Sequence, residues 1–262
     1  MKKEKIRLDT MLLEKGLVDS DTVAQTLIMD GQVSVNGVKI IKSSTMVESN
    51  ANIEIKEKIK YVSRGALKIE KAHKEFNLDV KDKVALDIGA STGGFTDFLI
   101  QNGIKRVYCV DVGYGQLDYK LRNLEKVVNL ERQNARYLTE EHIKEKVDLV
   151  VIDASFISAT KFLENLKRFL KDAAQVLILI KPQFEAGRKF VQKGGVVRDK
   201  NAHKDVIKKI VNFAENTGLF LYGLTVSPIK GPAGNTEYLA LFGLDKGKKI
   251  ENLEEKINNI IN

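Results

Sequence analysis

Four charged residues stand beside strand-forming segments, where they could move a proton or stabilise a developing charge. Asp153 and Lys181 each directly follow an apolar, β-branched run. Lys68 precedes the first such run of the long C-terminal part, and Glu237 opens the last one. A lysine acts as a base only after losing its proton, and a second lysine nearby favours that loss. These residue types together suit the attack of a weakly acidic hydroxyl, although each residue taken alone is better explained by a surface ion pair.

A glycine-rich segment supplies a second set of candidate residues. The run "VALDIGASTGGFTDFL" passes from an apolar strand through Gly89 and Gly93-Gly94 into a helical pattern. Glycines there let backbone N–H groups approach a ligand at a helix N-terminus. The next strand, "RVYCVDVG", ends in Asp111, whose carboxylate can accept the hydroxyls of an adenosine ribose. The G-x-x-x-G-G spacing differs from a dinucleotide fingerprint, so these residues predict a nucleotide-type site without separating NAD from S-adenosylmethionine.

An alternation of apolar runs and helical patterns must position these residues. Strands are predicted at 84–88, 107–112, 127–130, 147–152, 176–180, 219–226 and 237–242. Helices are predicted at 95–102, 116–121, 140–144, 158–170 and 202–217. This order predicts an α/β, Rossmann-like domain with a mostly parallel sheet, which binds ligands beyond the carboxyl ends of its strands.

The first sixty residues form a different pattern. Two amphipathic helical segments, the first including Ile6 and ending at Gly16, precede short strands joined by Asn36-Gly37, a strong hairpin signal. The predicted organisation is therefore a small α+β domain over 1–58, a linker over 59–64 and the α/β domain over 65–262. The C-terminal run "KKIENLEEKINNIIN" predicts an amphipathic helix that packs on its own domain or on a second copy, which leaves the oligomeric state open.

Composition narrows the class of protein. The chain has 262 residues, 43% of them hydrophobic and 30% charged, as in a globular protein. A single cysteine, Cys109, and three scattered histidines predict neither disulfides nor a metal site. The sequence shows neither a spanning apolar run nor a signal-peptide pattern, so the expected location is cytoplasmic, without membrane contact. The net charge of +8 arises mainly in 56–74 and 181–209, which suits either a polyanion partner or a solvated surface.

The segment "RLDTMLLEKGLVDSDTVAQTLIMDGQVSVNGVKIIKSSTMV" resembles the S4 RNA-binding domain. The resemblance implies docking on structured RNA through shape and phosphate contacts. Where S4 domains often have a basic residue at the start of the second helix, this chain has Asp19 and Asp21. The expected contacts are therefore basic residues elsewhere in the domain: Lys2, Lys3, Lys5, Arg7, Lys39 and Lys42. A packing or dimerisation module is the alternative.

The pattern "DIGASTGGF…VDVG" resembles the class I S-adenosylmethionine-dependent methyltransferases. The resemblance implies a cofactor site in which the glycine-rich segment lies near the methionine part, Asp111 at the ribose and the segment 134–136 beside the adenine. Its expected residues are Gly89, Ala90, Ser91, Gly94, Asp111 and Ala135. Phe156, just past the fourth strand, is expected either near the cofactor or in the core.

Three methyl acceptors need different residues. Exocyclic amines of bases are typically handled by a D/N-P-P-Y/F motif, whereas "DASF" stands in that place here. Carbon-5 methylation needs a cysteine nucleophile, whereas Cys109 lies within an apolar strand and is expected to be a buried structural thiol. A ribose 2′-hydroxyl remains, and it needs a base or electrostatic help.

The ordered set Lys68, Asp153, Lys181 and Glu237 resembles the catalytic tetrad of the FtsJ-like ribose 2′-O-methyltransferases. Together with the S4-like segment, the runs "YVSRGALKIEKA", "DASFIS", "LIKPQFEAGR" and "GPAGNTEYLALF" are similar to the TlyA family, also named hemolysin A. The resemblance implies 2′-O-methylation of cytidine in 23S ribosomal RNA and, in some members, also 16S, with ribosomal RNA or ribosomal subunits as partners. Basic residues outside the S4-like segment are also expected to contact RNA: Arg64, and Arg188 and Lys189 in the long loop 184–199.

Two other functions compete with this one. A membrane-acting hemolysin would need an export signal and an apolar or strongly amphipathic segment. A non-catalytic RNA-binding or ribosome-assembly factor would keep the cofactor fold and lose the chemistry, which the complete tetrad argues against.

Overall fold

A computed structural model describes residues 5–29, 31–55, 60–155 and 158–261. The chain divides into two compact units, residues 1–60 and 61–262. Of the residues with sequence predictions, Lys2, Lys3, Phe156 and the linker residue Ile59 lie outside the described ones.

The N-terminal unit is an α+β module. Its elements are β1 (Lys5–Arg7), α1 (Leu8–Glu14), α2 (Asp21–Met29), β2 (Val33–Val35), β3 (Val38–Ile40), β4 (Met46–Glu48) and β5 (Ile53–Ile55). Strands β3, β2 and β5 form one antiparallel sheet, and β1 pairs with β4. The predicted hairpin is confirmed, because Asn36 and Gly37 both have positive φ (51° and 78°), as a two-residue type I′ turn requires. Ile6, expected on the first helix, instead pairs with Val47 in β1.

The C-terminal unit alternates helices and strands as the sequence predicts. Its elements are α3 (Ala66–Phe76), β6 (Val84–Ile88), α4 (Gly94–Gln101), β7 (Arg106–Val110), α5 (Tyr119–Arg122), β8 (Val127–Leu130), β9 (Val147–Ile152), α6 (Thr160–Leu166), β10 (Leu170–Ile180), α7 (Pro182–Glu185), α8 (Lys200–Asn216), β11 (Phe220–Val226), β12 (Tyr238–Gly243) and α9 (Leu253–Ile261). Along β9, Val150 belongs to one apolar core cluster and Val151 to another, so the sheet is covered on both faces.

The sheet of this unit is mixed. Its order is β11-β12-β10-β9-β6-β7-β8, with the neighbours from β10 to β8 paired in parallel. Strand β12 lies between β10 and β11 and is antiparallel to both. The beginning of β12 therefore lies at the same edge of the sheet as the carboxyl ends of β9 and β10.

Four details differ from the sequence prediction. Residues 140–144 form turns rather than a helix. His142 Nδ1 accepts the backbone N–H of Thr139 (3.2 Å), a local bond that competes with helix formation. The helix expected over 158–170 ends at Leu166, because β10 already begins at Leu170, paired with Val147. Strand β7 ends at Val110 rather than at residue 112, and the short helix α5 begins only at Tyr119.

The two ends of the C-terminal unit pack on its own core. Tyr61 is buried with its ring centroid 5.9 Å from that of Phe98, and Val62 N–H donates to Asp97 Oδ2 (2.7 Å). In α9, Ile257 and Ile261 are buried in the same apolar cluster as β11. The amphipathic C-terminal helix thus covers its own domain, which was one of the two arrangements left open by the sequence.

The described residues hold neither a membrane-crossing helix nor a metal-binding cluster of side chains. No helix among them combines the length and the apolar character needed to cross a membrane. They also contain no group of three or more histidine, cysteine, aspartate or glutamate side chains placed to hold a metal ion.

Candidate active site

Lys68, Asp153, Lys181 and Glu237 come together in one chain of ion pairs. Lys68 Nζ lies 2.9 Å from Glu237 Oε2 and 3.5 Å from Asp153 Oδ2. Lys181 Nζ lies 2.5 Å from Asp153 Oδ1. Both lysines and Glu237 are buried, whereas Asp153 is partly exposed. Two ammonium groups and two carboxylates balance in charge, which allows four ionisable side chains to share a site that is largely closed to water.

The sheet topology brings these residues together. Asp153 directly follows β9 and Lys181 directly follows β10, so both lie at the carboxyl edge of the parallel strands. Glu237 precedes β12 and reaches the same edge because β12 runs antiparallel to β10. Lys68 comes from the first turn of α3, which packs on β12.

Two polar residues that the sequence analysis did not single out join this network. Ser155 Oγ accepts a hydrogen bond from Lys181 Nζ (2.8 Å). Gln183 Nε2 donates a hydrogen bond to Glu237 Oε1 (3.1 Å). Ser155 lies two residues after Asp153, and Gln183 lies two residues after Lys181. This proximity in the chain was the one signal by which the sequence could have pointed to them.

The glycine-rich segment borders the same site. Gly89 follows β6 with a φ of +82°, and a Cβ there would lie only 2.8 Å from the backbone carbonyl oxygen of Asp153. A cavity of about 120 Å³ is lined by residues 89–92, 94 and 95 of this segment, with Ser63, Gly65, Asp87 and Asp153. Asp153 therefore belongs both to the ion-pair chain and to the wall of this cavity.

Asp111, which the sequence predicts to accept ribose hydroxyls, directly follows β7. Its Oδ2 accepts the backbone N–H of Ser91 (2.8 Å), and its Oδ1 accepts that of Gly113 (2.7 Å). A carboxylate oxygen has a second lone pair, so both oxygens can still accept hydroxyl groups. The two N–H bonds fix the carboxylate at the end of β7, directly beside the glycine-rich segment.

Asp87 is a further carboxyl group at the cavity wall. It is fully buried in β6, and its Oδ2 accepts a hydrogen bond from Thr96 Oγ1 (2.7 Å). Its Oδ1 has no hydrogen-bond partner among the described residues. Burial, with a smaller contribution from Asp153, raises the pKa of Asp87 to about 7. An unpaired buried carboxyl oxygen of this kind suits a ligand that carries a positive charge.

Ala135 and Cys109 occupy buried positions near the same edge. Ala135 begins a 3-10 turn after β8, and Asn165 Nδ2 donates to its carbonyl oxygen (3.3 Å). Its place beside an adenine stays a prediction. Cys109 is buried in β7, 3.0 Å from Thr96 Oγ1, and burial raises the pKa of its thiol. The expected structural thiol is confirmed.

The described residues predicted to contact RNA are all exposed. They are Lys5, Arg7, Lys39 and Lys42 in the first unit and Arg64, Arg188 and Lys189 in the second. Arg7 also has a structural partner, because its Nη2 and Nε lie 2.6 and 3.0 Å from the two carboxylate oxygens of the buried Asp9.

The loop 184–199 has more structure than its sequence indicates. It contains the end of α7, a 3-10 turn at 188–190 and a bridge between Gln192 and Val196. Asn235 anchors the loop, since its Oδ1 accepts the Val197 N–H (2.9 Å) and its Nδ2 donates to the Gly195 carbonyl (2.8 Å).

Three features define a class I methyltransferase: the glycine-rich segment after β6, the carboxyl groups of Asp87 and Asp111 at the ends of the neighbouring strands β6 and β7, and the mixed sheet. Comparison with family models agrees: residues 61–244 match the FtsJ-like methyltransferase model, and residues 6–53 match the S4 domain model. The chain belongs to the FtsJ-like methyltransferases and, within them, to the S4-containing family that includes TlyA. The predicted family, fold class and enzyme class are confirmed.

Similar proteins come from several bacteria. A Bacillus subtilis protein, YqxC, described as a candidate rRNA methyltransferase, is 43% identical over 265 residues, covering 100% of this chain and 94% of that protein. The Mycobacterium tuberculosis 16S/23S rRNA (cytidine-2′-O)-methyltransferase TlyA is 39% identical over 259 residues, covering 97% of each chain. A solved structure of a candidate hemolysin from Streptococcus thermophilus superimposes with a TM-score of 0.77 at 39% identity, covering 98% of this chain and 94% of that one.

S-adenosylmethionine is the methyl donor of this class, as predicted, and the residues present fit it. The backbone of Asp153 bounds the cavity beside Gly89, and it lies so close that a side chain at position 89 would collide with it. Asp111 has lone pairs for a ribose, and Asp87 has an unpaired carboxyl oxygen for a positive charge. These residues of the chain, with Ala90, Ser91 and Gly94, would hold the cofactor.

Proposed function

We propose that the protein methylates the ribose 2′-hydroxyl of a cytidine in ribosomal RNA. The observation that carries this proposal is the ion-pair chain Glu237–Lys68–Asp153–Lys181, buried except at Asp153, through which it adjoins the cavity beside Gly89. A base nitrogen would not require two lysines at the reacting edge, whereas a weakly acidic hydroxyl needs a group that takes its proton or stabilises its charge. The name of the mycobacterial relative supports both the nucleotide and the RNA class.

Each member of the tetrad has a proposed role. Lys181 stabilises the oxyanion as an ammonium group or, after losing its own proton, takes the hydroxyl proton, and Asp153 with Ser155 holds its Nζ in place. Asp153 is more exposed than the other three residues and orients the substrate hydroxyl. Lys68 and Glu237 complete the site by fixing the other carboxylate oxygen of Asp153. When bound, S-adenosylmethionine supplies an electrophilic methyl group.

The proposed partner is ribosomal RNA, free or within a ribosomal subunit. 23S RNA is the main proposed substrate, and 16S RNA is an additional one. Residues 1–58 are proposed as the docking domain, with exposed Lys5, Arg7, Lys39 and Lys42 on phosphate. Arg64, Arg188 and Lys189 are proposed to contact RNA from the methyltransferase domain. Their contribution should appear as a salt dependence of RNA binding.

Radiolabelled methyl transfer to ribosomal subunits that lack the modification tests the function, followed by mapping of 2′-O-methylated positions. Label on a single cytidine ribose is the expected result. Label on a base would overturn the tetrad roles, and absence of label from subunits that a known enzyme can modify would favour a non-catalytic RNA binder. Lysis of liposomes by the purified, detergent-free protein would instead favour a hemolysin.

The variant Lys181→Ala tests the site. We expect nearly unchanged S-adenosylmethionine binding and a drop of about a hundredfold or more in single-turnover methyl transfer. Lys171→Ala is the matched control. Lys171 lies near the start of β10, at the end of the strand opposite to Lys181, and forms a 2.8 Å ion pair with Asp148 of β9. Equal rates for the two variants would contradict the assignment.

A further inference from the structure

The Glu237 carboxylate is satisfied from two directions. It is almost completely buried, with only 1% of the residue exposed. Its Oε2 pairs with Lys68, and its Oε1 accepts the Nε2–H of Gln183 (3.1 Å). A carboxylate has only acceptor oxygens, and a buried one without a donor is costly. Lys68 satisfies one oxygen, and Gln183 satisfies the other.

The orientation of the Gln183 amide follows from the same contact. A flipped amide would turn its carbonyl oxygen toward the Glu237 carboxylate, acceptor against acceptor. In the orientation observed, Gln183 Oε1 is buried and has no hydrogen-bond partner among the described residues. An unpaired buried acceptor in a folded protein requires an explanation, and here it is the consequence of directing the NH₂ group at Glu237.

Gly231 leaves room for this hydrogen bond. A Cβ at position 231 would lie 2.7 Å from Glu237 Oε1 and 3.6 Å from Gln183 Nε2. Gln183 also lies two residues after Lys181, in the short helix α7 that begins with Pro182. One short segment therefore carries both Lys181, at one end of the ion-pair chain, and the hydrogen-bond donor to Glu237, at the other end.

We propose that Gln183 is a positioning residue: its amide fixes the Glu237 carboxylate, which in turn places Lys68 against Asp153. This inference rests on the proposed function, since it assigns Gln183 a role in the same reaction. Gln183 thereby sets the geometry of the tetrad without itself contacting the reacting atoms.

Gln183→Met tests the role, because methionine preserves the length of the side chain and removes the donor. We expect single-turnover methyl transfer to fall about tenfold, while the dissociation constants for RNA and S-adenosylmethionine change less than about twofold. Gln183→Glu should lose more activity at high pH than at low pH, because the new carboxyl can donate only while protonated. The matched control is Gln101→Met, since Gln101 Nε2 donates to the buried Asp97 Oδ1 (2.9 Å), a carboxylate outside the ion-pair chain.

The outcomes separate this inference from the proposed function. A wild-type rate in Gln183→Met, or an equal loss in Gln101→Met, overturns the positioning role while the wild-type enzyme still methylates RNA. A measurement that does not depend on activity is the NMR signal of the Lys68 ammonium group, which the ion pairs protect from exchange with water. We expect that signal to broaden in Gln183→Met, and an unchanged signal overturns the inference whether or not RNA is methylated.

Discussion

Lys68 and Glu237 are 169 residues apart in the chain, yet Lys68 Nζ lies 2.9 Å from Glu237 Oε2 in a buried ion pair. The pair joins the first helix of the methyltransferase unit to its last strand. Both charges have lost most of their hydration, so each depends on its partner for compensation. This dependence makes the pair a test of whether the site is held by charge or by shape.

The first prediction concerns the stability of variants of this pair. Lys68→Met or Glu237→Gln alone should lower the free energy of unfolding by about 3 kcal/mol, because each leaves a buried charge without its nearest ion-pair partner. The double variant Lys68→Met/Glu237→Gln should lose less free energy of unfolding than the two single losses added together. All three variants should lack methyl transfer. Urea unfolding of the four proteins measures the coupling.

A control for this cycle is the pair Lys171–Asp148, whose lysine side chain is 46% exposed. Lys171→Ala should lower the free energy of unfolding by less than about 1 kcal/mol, as for exposed ion pairs in general. Simple additivity at Lys68 and Glu237 would contradict the coupling.

The second prediction is a pH dependence caused by Asp87. Burial raises its pKa from 3.8 to about 7 in the folded chain, so the folded state keeps a proton that the unfolded state has lost. Stability from this group is present below pH about 4 and is lost as the pH rises toward 7. Asp87→Asn should therefore be similar in stability to the wild type near pH 4 and more stable at pH 8, by at most a few kcal/mol.

Thermal or urea unfolding at the two pH values, without cofactor, measures this difference. Asp79→Asn is the control, because its carboxylate is 70% exposed beside Lys83. A constant difference between Asp87→Asn and the wild type at both pH values would refute the prediction.

The third prediction concerns cofactor affinity. Asp111→Asn keeps the shape of the side chain but replaces one acceptor oxygen by a donor, which faces the backbone N–H of either Ser91 or Gly113. We expect S-adenosylmethionine binding to weaken by about thirtyfold, corresponding to roughly 2 kcal/mol for hydrogen bonds to a charged group. Calorimetry measures the affinity, and Asp118→Asn, at the N-cap of α5, serves as control. Unchanged binding would remove Asp111 from the cofactor site.

The fourth prediction separates two roles of Arg7. Arg7 lowers the pKa of Asp9 by a side-chain hydrogen bond, so this pair stabilises the N-terminal unit above the ordinary pKa of aspartate, and the stabilisation is lost as the pH falls. Arg7→Ala should destabilise that unit at pH 7 and have a smaller effect near pH 3. Lys5→Ala should leave the stability of that unit unchanged.

Hydrogen exchange of the full chain, compared with RNA binding, measures both effects. If Arg7→Ala weakens RNA binding without accelerating exchange around α1, Arg7 acts on RNA alone and its structural role is refuted.

The sequence predicted the parts of the fold that depend on local pattern. The strands 84–88, 127–130 and 147–152 are confirmed within a residue, because continuous β-branched runs between turns have few alternatives. Residues 140–144 were misread, because a five-residue polar segment has little periodicity and its His142–Thr139 bond favours a turn. The early start of β10 depends on pairing with Val147, a tertiary contact that no local pattern contains.

The site divides in the same way. The four tetrad residues could be named from their places at strand ends and from family resemblance, and the structure brings them together. Gln183 and Asp87 could not be named, since their roles depend on which neighbours approach them in space. Apart from its place two residues after Lys181, nothing in the local sequence distinguishes the amide of Gln183, which faces Glu237 across 54 residues, from that of an exposed glutamine.

The position of β12, together with the role proposed for Glu237, has a consequence for the order of events while the chain is synthesised. Although β12 comes late in the chain, it lies inside the sheet, between β10 and β11, and Glu237 enters the site with it. A nascent chain that stops before Glu237 already contains the glycine-rich segment and Asp111 but lacks the carboxylate that pairs with Lys68. Cofactor binding should therefore precede catalytic competence during synthesis. A new molecule should become active only after β12 has paired with β10 and β11.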